Sequence, residues 1–208
     1  MIKAVIFDIG NVLVRFDGKK LISSIFENQK DIDDVYSILF PHPWNQYDKG
    51  ELGAHDLISL VSLHRPDLEK KAETMMKTWT EKVEIARQSR RMISDLKKEG
   101  IQVLICSNMP YDCKDSLQKR HLFDEVDDAI YSCDVHINKP DPEIWRLLLE
   151  RNHLRPEDCL FLDDNASNVM VARGLGMQAI QVKNIDQVPA LVMHAIQEEN
   201  GKDKHRER

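Results

Sequence analysis

The sequence of 208 residues lacks any apolar run long enough to cross a membrane, and no signal peptide precedes its first apolar stretch. It also lacks an excess of basic residues, since its formal net charge is -6. This charge provides no general attraction to nucleic acid or anionic lipid. The 4 cysteines have no Cys-x-x-Cys spacing, which favours reduced thiols over a disulfide framework. We therefore expect a cytoplasmic protein that functions without nucleic acid, a membrane or an obligate protein partner.

Strand and helix patterns alternate along most of the chain. Short apolar runs predict strands at 4–7, 101–106, 129–132, 159–162 and 179–182, and amphipathic helices lie between the later ones. This alternation is typical of an α/β fold, in which a Rossmann-like parallel sheet carries helices on both faces.

Residues 17–80 interrupt the alternation. Apolar residues recur there with helical spacing and no strand pattern is present, so we expect an all-helical domain inserted into a core formed by residues 1–16 and 81–208. Within the insertion, prolines and a closing glycine predict a loop at 41–50. The charged residues 198–208 have no periodicity and predict a frayed tail.

Polar side chains follow the predicted strands at the points where they end. Asp8, Ser107 and the pair Asp163-Asp164 each follow a buried strand, and Lys139 lies in a strand-to-helix loop. The carboxyl ends of parallel strands share one edge of the sheet, so these side chains can converge. Three carboxylates close together require a cation, and carboxylate oxygens suit Mg²⁺, which also binds substrate phosphate. Taken singly, Asp163 is equally a helix N-cap and Lys139 a solvated lysine.

Four ordered motifs resemble those of the haloacid dehalogenase-like hydrolase superfamily: Asp8-Ile9-Gly10-Asn11-Val12, Ser107-Asn108, Lys139-Pro140 and Asp163-Asp164-x-x-x-Asn168. The resemblance extends over roughly residues 3–183, and the helical insertion is similar to the C1 cap of that superfamily. Within it, the chain looks most like the bacterial phosphatases that act on α-D-glucose 1-phosphate, whose first motif also reads Asp-Leu-Gly-Asn.

The resemblance implies a role for each motif. Asp8 would be the nucleophile that forms an aspartyl-phosphate, while Ser107, the backbone amide of Asn108 and Lys139 would bind the phosphoryl group. The metal ligands would be Asp8, Asp163, Asp164 and the carbonyl of Gly10. Asn168 would support the metal-binding loop without binding the metal itself. Related enzymes often have a cis peptide between the lysine and proline of the third motif, so we expect one at Lys139-Pro140.

One position departs from the family pattern. Most phosphatases of the superfamily carry a second aspartate two residues after the nucleophile, which protonates the leaving oxygen, and here that residue is Gly10. Either the substrate has a good leaving group, or Asp17, His42 or Asp48 supplies the proton, or the protein is a weak catalyst. Asp17 has an alternative role as the N-cap of a helix near Lys19.

The sequence therefore predicts a Mg²⁺-dependent phosphatase of a small phosphorylated metabolite, with a hexose 1-phosphate as the expected substrate. Trp44 and Asp48 of the predicted loop, and Asp17 outside the loop, are candidates to bind the sugar. Trp44 and Tyr47 have an alternative role, which is to pack between the helices of the insertion. Two further functions stay open at this point, a metal-independent haloacid dehalogenase and a phosphate-binding protein without activity.

Overall fold

A computed structural model of the chain describes the backbone of residues 1–206 and the side chains of residues 1–199. Its central sheet contains five parallel strands, which are β1 (Ala4–Phe7), β4 (Gln102–Ser107), β5 (Asp128–Tyr131), β6 (Cys159–Asp163) and β7 (Gln178–Gln181), in the order β5-β4-β1-β6-β7. A second, antiparallel ribbon pairs β2 (Val14–Arg15) with β3 (Glu84–Ile85). The predicted parallel α/β fold is confirmed, and each sheet strand lies within one residue of its predicted position.

The central position of β1 explains its unbroken apolar sequence. It is hydrogen-bonded to β4 on one side and to β6 on the other, and all four of its residues are fully buried. Val5 and Phe7 belong to a large apolar cluster on one face, whereas Ala4 and Ile6 belong to a second cluster on the other face. Both faces are thus covered, as is usual for a parallel sheet.

The segment between β2 and β3 is helical throughout. It contains α1 (Gly18–Ser23), α2 (Gln29–Leu39), α3 (His42–Asp48), α4 (Ala54–His64), a 3₁₀ turn (Pro66–Leu68) and α5 (Glu69–Lys82). We call this segment the helical insertion. The ribbon of β2 and β3 joins it to the sheet domain, and each of those strands has only two residues, too few to give a sequence pattern.

The predicted loop at 41–50 is wrong over most of its length, because residues His42–Asp48 form α3. Pro41 occupies the N-cap position and Pro43 lies in the first turn, where a backbone N–H has no partner within the helix. These prolines therefore start a helix instead of breaking one. Gly50 follows with a φ of +74°, a left-handed conformation that suits glycine after a helix end.

The remaining helices cover the sheet. They are α6 (Ser89–Lys98), α7 (Tyr111–Lys119), α8 (Ser132–Val135), α9 (Pro142–Arg151), α10 (Ala166–Gly174) and α11 (Val188–Arg206), and 3₁₀ turns lie at Pro156–Asp158 and Ile185–Gln187. The predicted frayed tail is wrong as far as Arg206, since α11 continues through it, and residues 207–208 lie outside the described residues. All four cysteines are free and buried. Within residues 1–206, no helix combines the length and apolarity needed to span a bilayer.

Candidate active site

Three neighbouring strands place polar side chains at one edge of the sheet. Phe7 pairs with Ile105 of β4 and with Leu162 of β6, so the residues that follow in the three strands lie together at their carboxyl ends. Those residues include Asp8, Ser107 and Asp163, all of which are buried. The structure therefore brings together the strand-end residues that the sequence singled out.

Lys139 is the cation at the centre of this edge. Its Nζ lies 2.8 Å from Asp8 Oδ1 and 2.6 Å from Asp163 Oδ2, and it donates a 2.8 Å hydrogen bond to the carbonyl of Cys106. Only 1% of the side chain is exposed. Burial alone would lower the pKa of Lys139, but the carboxylates of Asp8 and Asp163 raise it, so the ammonium stays charged.

The carboxylates of Asp8, Asp163 and Asp164 form one acidic cluster, with an oxygen of each within 4.8 Å of the others. Burial raises the pKa of Asp8 above its usual range, although the Lys139 ammonium opposes this, and burial likewise raises the pKa of Asp164. One lysine does not neutralise three carboxylates. The excess negative charge and the all-oxygen donor set fit a hard divalent cation such as Mg²⁺.

The two aspartates of the pair have different surroundings. Asp163 accepts hydrogen bonds on both oxygens, from Lys139, from the side chain of Asn168 and from the backbone amide of Asn165. Asp164 Oδ2 accepts a 2.9 Å bond from Asn11 Nδ2. Asp163 is thus bound firmly into the protein, whereas Asp164 is partly exposed and more available to a ligand.

Asn108 and Lys139 hold two loops together. The side chain of Asn108 accepts a 2.7 Å bond from the Lys139 backbone N–H and donates a 3.0 Å bond to the Lys139 carbonyl. The next peptide, Lys139-Pro140, is cis, as predicted. Because both polar atoms of the Asn108 side chain are bonded to the Lys139 backbone, Asn108 would bind a substrate through its backbone amide.

Asn11 is a site residue that sequence reasoning did not assign a role. It has a φ of 55°, a left-handed conformation that asparagine tolerates better than most residues. Its side chain accepts a 3.1 Å bond from the Phe16 backbone N–H and donates to Asp164. An asparagine in a tight turn after a strand was the available signal; its partner 153 residues away was not visible in the sequence.

A cavity of about 260 Å³ opens beside Gly10 and Ser107 and extends under the helical insertion. Asp48, at the end of α3, lines it together with Trp44. Burial, reinforced by the charges of Asp8 and Asp112, raises the pKa of Asp48 to about 8. Asp48 therefore holds its proton more tightly than an ordinary aspartate, in the same cavity as the phosphate-binding candidates.

The other two candidate proton donors lie elsewhere. Asp17 is exposed and caps α1 by accepting a 3.1 Å bond from the Lys20 backbone N–H, and it borders a second, adjoining cavity of about 390 Å³. His42 is exposed at the start of α3. Of the three candidates, the structure brings only Asp48 to the cavity beside Ser107.

Several contacts hold α3 on the sheet domain. The hydroxyl of Tyr47 and the indole N–H of Trp79 both donate to Asp112 Oδ2, the latter at 3.2 Å. The buried hydroxyl of Ser132 donates to the backbone carbonyl of Asp48. These bonds join residues far apart in the sequence, which is why sequence patterns did not identify Ser132 or Asp112.

A family model described as haloacid dehalogenase-like hydrolase matches residues 2–176, and these residues contain all of the groups described above. The chain belongs to this family. The haloacid dehalogenase-like hydrolase has curated relatives that include sesquiterpene phosphatase astK of Aspergillus oryzae, 27% identical over 86% of this chain and 89% of the relative. Another is the D-ribitol-5-phosphate phosphatase of Bacteroides thetaiotaomicron, 26% identical over 88% of this chain and 93% of the relative.

Solved structures show the same fold. A HAD family enzyme of Bacteroides thetaiotaomicron, in complex with magnesium and inorganic phosphate, superposes with a TM-score of 0.72 and 20% identity, covering 87% of this chain and 94% of that one. The chain spans a much smaller share of some longer curated relatives, such as 18% of mouse acyl-CoA dehydrogenase family member 10. The family match thus shows a haloacid dehalogenase-like hydrolase, and two of its relatives are named as phosphatases.

Proposed function

We propose that this hydrolase is a Mg²⁺-dependent phosphomonoesterase that forms an aspartyl-phosphate on Asp8. The observation that carries the proposal is the position of the Asp8 carboxylate, 2.8 Å from the Lys139 ammonium and within the acidic cluster with Asp164. A carboxylate in this position has a cation on one side and a candidate metal site on the other. Such an arrangement suits attack on a phosphoryl group whose charge must be neutralised.

In the proposed reaction, an Asp8 carboxylate oxygen attacks phosphorus and the bond from phosphorus to the leaving oxygen breaks. Ser107, the backbone amide of Asn108 and Lys139 bind the phosphoryl oxygens. Water then attacks the phosphorus of the aspartyl-phosphate, which releases inorganic phosphate and restores the Asp8 carboxylate. Splitting the reaction into two displacements lets one buried carboxylate serve in every turnover.

For the metal, we propose Asp8, Asp164 and the carbonyl of Gly10 as direct ligands. Asp163 was also predicted as a ligand, but its oxygens already accept bonds from Lys139, Asn165 and Asn168, so we propose that it mainly orients Lys139. When bound, Mg²⁺ would neutralise charge on the phosphoryl oxygens and on the clustered carboxylates. The magnesium and phosphate in the similar solved structure support this assignment.

Removal of divalent metal is the direct test of the proposed function. With p-nitrophenyl phosphate as the substrate, we expect EDTA to abolish phosphate release and excess Mg²⁺ to restore it, since the acidic cluster otherwise repels the phosphate dianion. Full activity in EDTA would contradict the metal assignment. Release of halide from a 2-haloacid without metal would instead identify the dehalogenase alternative, which leaves the Asp163-Asp164 pair without a role.

We further propose Asp48 as the proton donor that replaces the missing aspartate at position 10. It lines the same cavity as Gly10 and Ser107, and its raised pKa favours the protonated form that a proton donor needs. Asp48 would give its proton to the leaving oxygen and take one back from the attacking water. Ser132, through its bond to the Asp48 carbonyl, would fix the position of this acid.

Asp48→Asn is expected to lower kcat by about 10²- to 10⁴-fold with an alkyl phosphate, because an alkoxide needs protonation to leave. With p-nitrophenyl phosphate, whose phenolate leaves unprotonated, the same variant is expected to retain most of its activity. A comparison of kcat for the two substrates measures this difference. Equal losses with both would show that Asp48 does not protonate the leaving group.

The double variant Gly10→Asp, Asp48→Asn provides a gain-of-function control. A Cβ at position 10 would lie 3.9 Å from Asp8 Oδ2 and meet nothing closer, so a side chain can begin there without a clash at its Cβ. We expect the added carboxylic acid to recover part of the alkyl phosphate activity lost in Asp48→Asn.

We also propose that residues 17–80 act as a cap domain of the C1 type, which covers the site and admits small phosphate monoesters. The sequence-based candidate substrate, a hexose 1-phosphate, stays a prediction, as does the cytoplasmic location. The two phosphatase relatives differ in the compounds they are named for, a sesquiterpene and D-ribitol 5-phosphate. A screen of small phosphate esters distinguishes these leaving groups, and no turnover of any ester would leave only a phosphate-binding role.

A further inference from the structure

The cavity beside the site is lined mostly by apolar side chains. On the side of the sheet domain these include Ile9, Met109 and Pro110, and on the side of the helical insertion they include Phe40 and Trp44. We propose that the leaving group of the substrate is a hydrocarbon-like alcohol, aliphatic or aromatic, and not a sugar or another polyol. This inference rests on the proposed phosphatase function, because it assigns the cavity to the part of the substrate beyond the phosphate.

Four aromatic rings form a continuous wall of this cavity. Trp44 is stacked on Phe40 with ring centroids 4.5 Å apart and on Phe16 at 5.7 Å, and Trp79 meets Trp44 edge-on at 5.3 Å. Phe16 and Phe40 are only partly buried, so part of each ring is accessible. An apolar group placed against this wall would gain about 25 cal/mol for each Å² removed from water.

The polar groups of the same cavity are already assigned or occupied. Ser107 belongs to the phosphoryl end, and both polar atoms of the Asn108 side chain are bonded to the Lys139 backbone. The indole N–H of Trp79 donates to Asp112 and Tyr47. Asp48 and the indole N–H of Trp44 are the polar groups left to meet the leaving group, and Asp48 suits one oxygen, the one attached to phosphorus.

A hexose in this position would bury several hydroxyl groups against the aromatic wall. Each hydroxyl that loses water without gaining a partner weakens binding. The cavity of about 390 Å³ is more polar, since Arg15, Asp17 and Lys82 border it. Its lining does not include Gly10, Ser107 or Asn108. A sugar held there would lie beyond Phe16, Trp79 and Val83, which border both cavities.

The test compares cyclohexylmethyl phosphate with glucose 6-phosphate, two esters with a six-membered ring on a CH₂–O–phosphate group. Cyclohexylmethyl phosphate lacks the hydroxyls and the ring oxygen, while the leaving oxygen is a primary alkoxide in both. We expect its kcat/KM to be higher by at least about 10²-fold, because each buried unpaired hydroxyl costs roughly 1–3 kcal/mol. Glucose 1-phosphate completes the panel and is also expected to be slower than cyclohexylmethyl phosphate.

Val14→Thr tests whether this cavity holds the leaving group. Val14 lines this cavity and not the one of about 390 Å³, and threonine has nearly the same shape, so the variant adds one hydroxyl to the wall. We expect the ratio of kcat/KM for cyclohexylmethyl phosphate over glucose 6-phosphate to fall several-fold. The matched control is Val61→Thr, a buried position in α4 outside the cavity, for which the ratio is expected to stay unchanged.

Phe40→Tyr, at a partly exposed position of the same wall, replaces Val14→Thr if circular dichroism shows that the threonine variant is unfolded. The inference would be overturned, while the phosphatase function stands, if either glucose phosphate had a higher kcat/KM than cyclohexylmethyl phosphate. It would also be overturned if a folded wall variant left the ratio of kcat/KM for cyclohexylmethyl phosphate over glucose 6-phosphate unchanged. Absence of Mg²⁺-dependent phosphate release from every ester, including p-nitrophenyl phosphate, would overturn the proposed function as well.

Discussion

Asp8→Asn is expected to reduce the turnover of every phosphate ester by about 10⁴- to 10⁶-fold, the range seen when a catalytic nucleophile is removed. Asparagine has the same shape as aspartate and can still accept a hydrogen bond from Lys139, but its amide does not attack phosphorus. The measurement is phosphate release under single-turnover conditions. Mass spectrometry of acid-quenched enzyme should also show a phosphoryl adduct on the peptide with Asp8 in the natural protein, and none in the variant.

The stability of Asp8→Asn provides an internal control. Burial raises the pKa of Asp8, so the folded protein binds a proton at this group more tightly than the unfolded chain does. Above the unfolded pKa of about 3.9, the ionised carboxylate therefore costs folding free energy, and asparagine removes that cost. We expect the melting temperature to be unchanged or higher. Near-normal activity in a folded variant would refute the aspartyl-phosphate mechanism, and the exposed Asp124→Asn serves as the control for charge alone.

Lys139→Met is expected to abolish activity and also to destabilise the metal-free protein by about 3–5 kcal/mol. Methionine fills a similar volume, but it leaves Asp8 and Asp163 as buried carboxylates without their shared cation. Urea unfolding, followed by circular dichroism in EDTA, measures the loss. The matched control is Lys114→Met, whose ion pair with Asp134 is partly exposed and is expected to contribute less than about 1 kcal/mol.

The destabilisation by Lys139→Met should depend on pH in a defined direction. Without the ammonium, nothing at Lys139 opposes the effect of burial on Asp8, so the folded pKa of Asp8 lies further above its unfolded value and the folded state binds more protons than the unfolded chain. Stability then falls as the pH rises above about 4, and the loss relative to the natural protein should be larger at pH 8 than at pH 5. Mg²⁺ should recover part of the stability. Unfolding midpoints equal to those of the natural protein at pH 8 would mean that the buried ion pair is absent.

The parallel sheet and the residues at its edge were predictable because both depend on local patterns. A strand buried on both faces needs a continuous apolar run, as in Ala4–Phe7, and parallel strands necessarily end at a common edge. That rule alone placed Asp8, Ser107 and Asp163 together. The same kind of local reasoning failed at His42–Asp48, where prolines were interpreted as loop signals although they occupy the first turn of a helix.

The sequence by itself therefore determined the fold class, the order of the strands along the chain and the acidic edge with its lysine. Only the tertiary structure decided which of Asp17, His42 and Asp48 reaches the cavity, because that choice depends on how α3 packs on the sheet domain. Tyr47 and Trp79 meet Asp112, and Ser132 meets the Asp48 carbonyl, through contacts between residues 33 to 84 positions apart. Side-chain contacts across such separations leave no periodic signal in a single sequence, and they also decide that the wall facing the leaving group is aromatic.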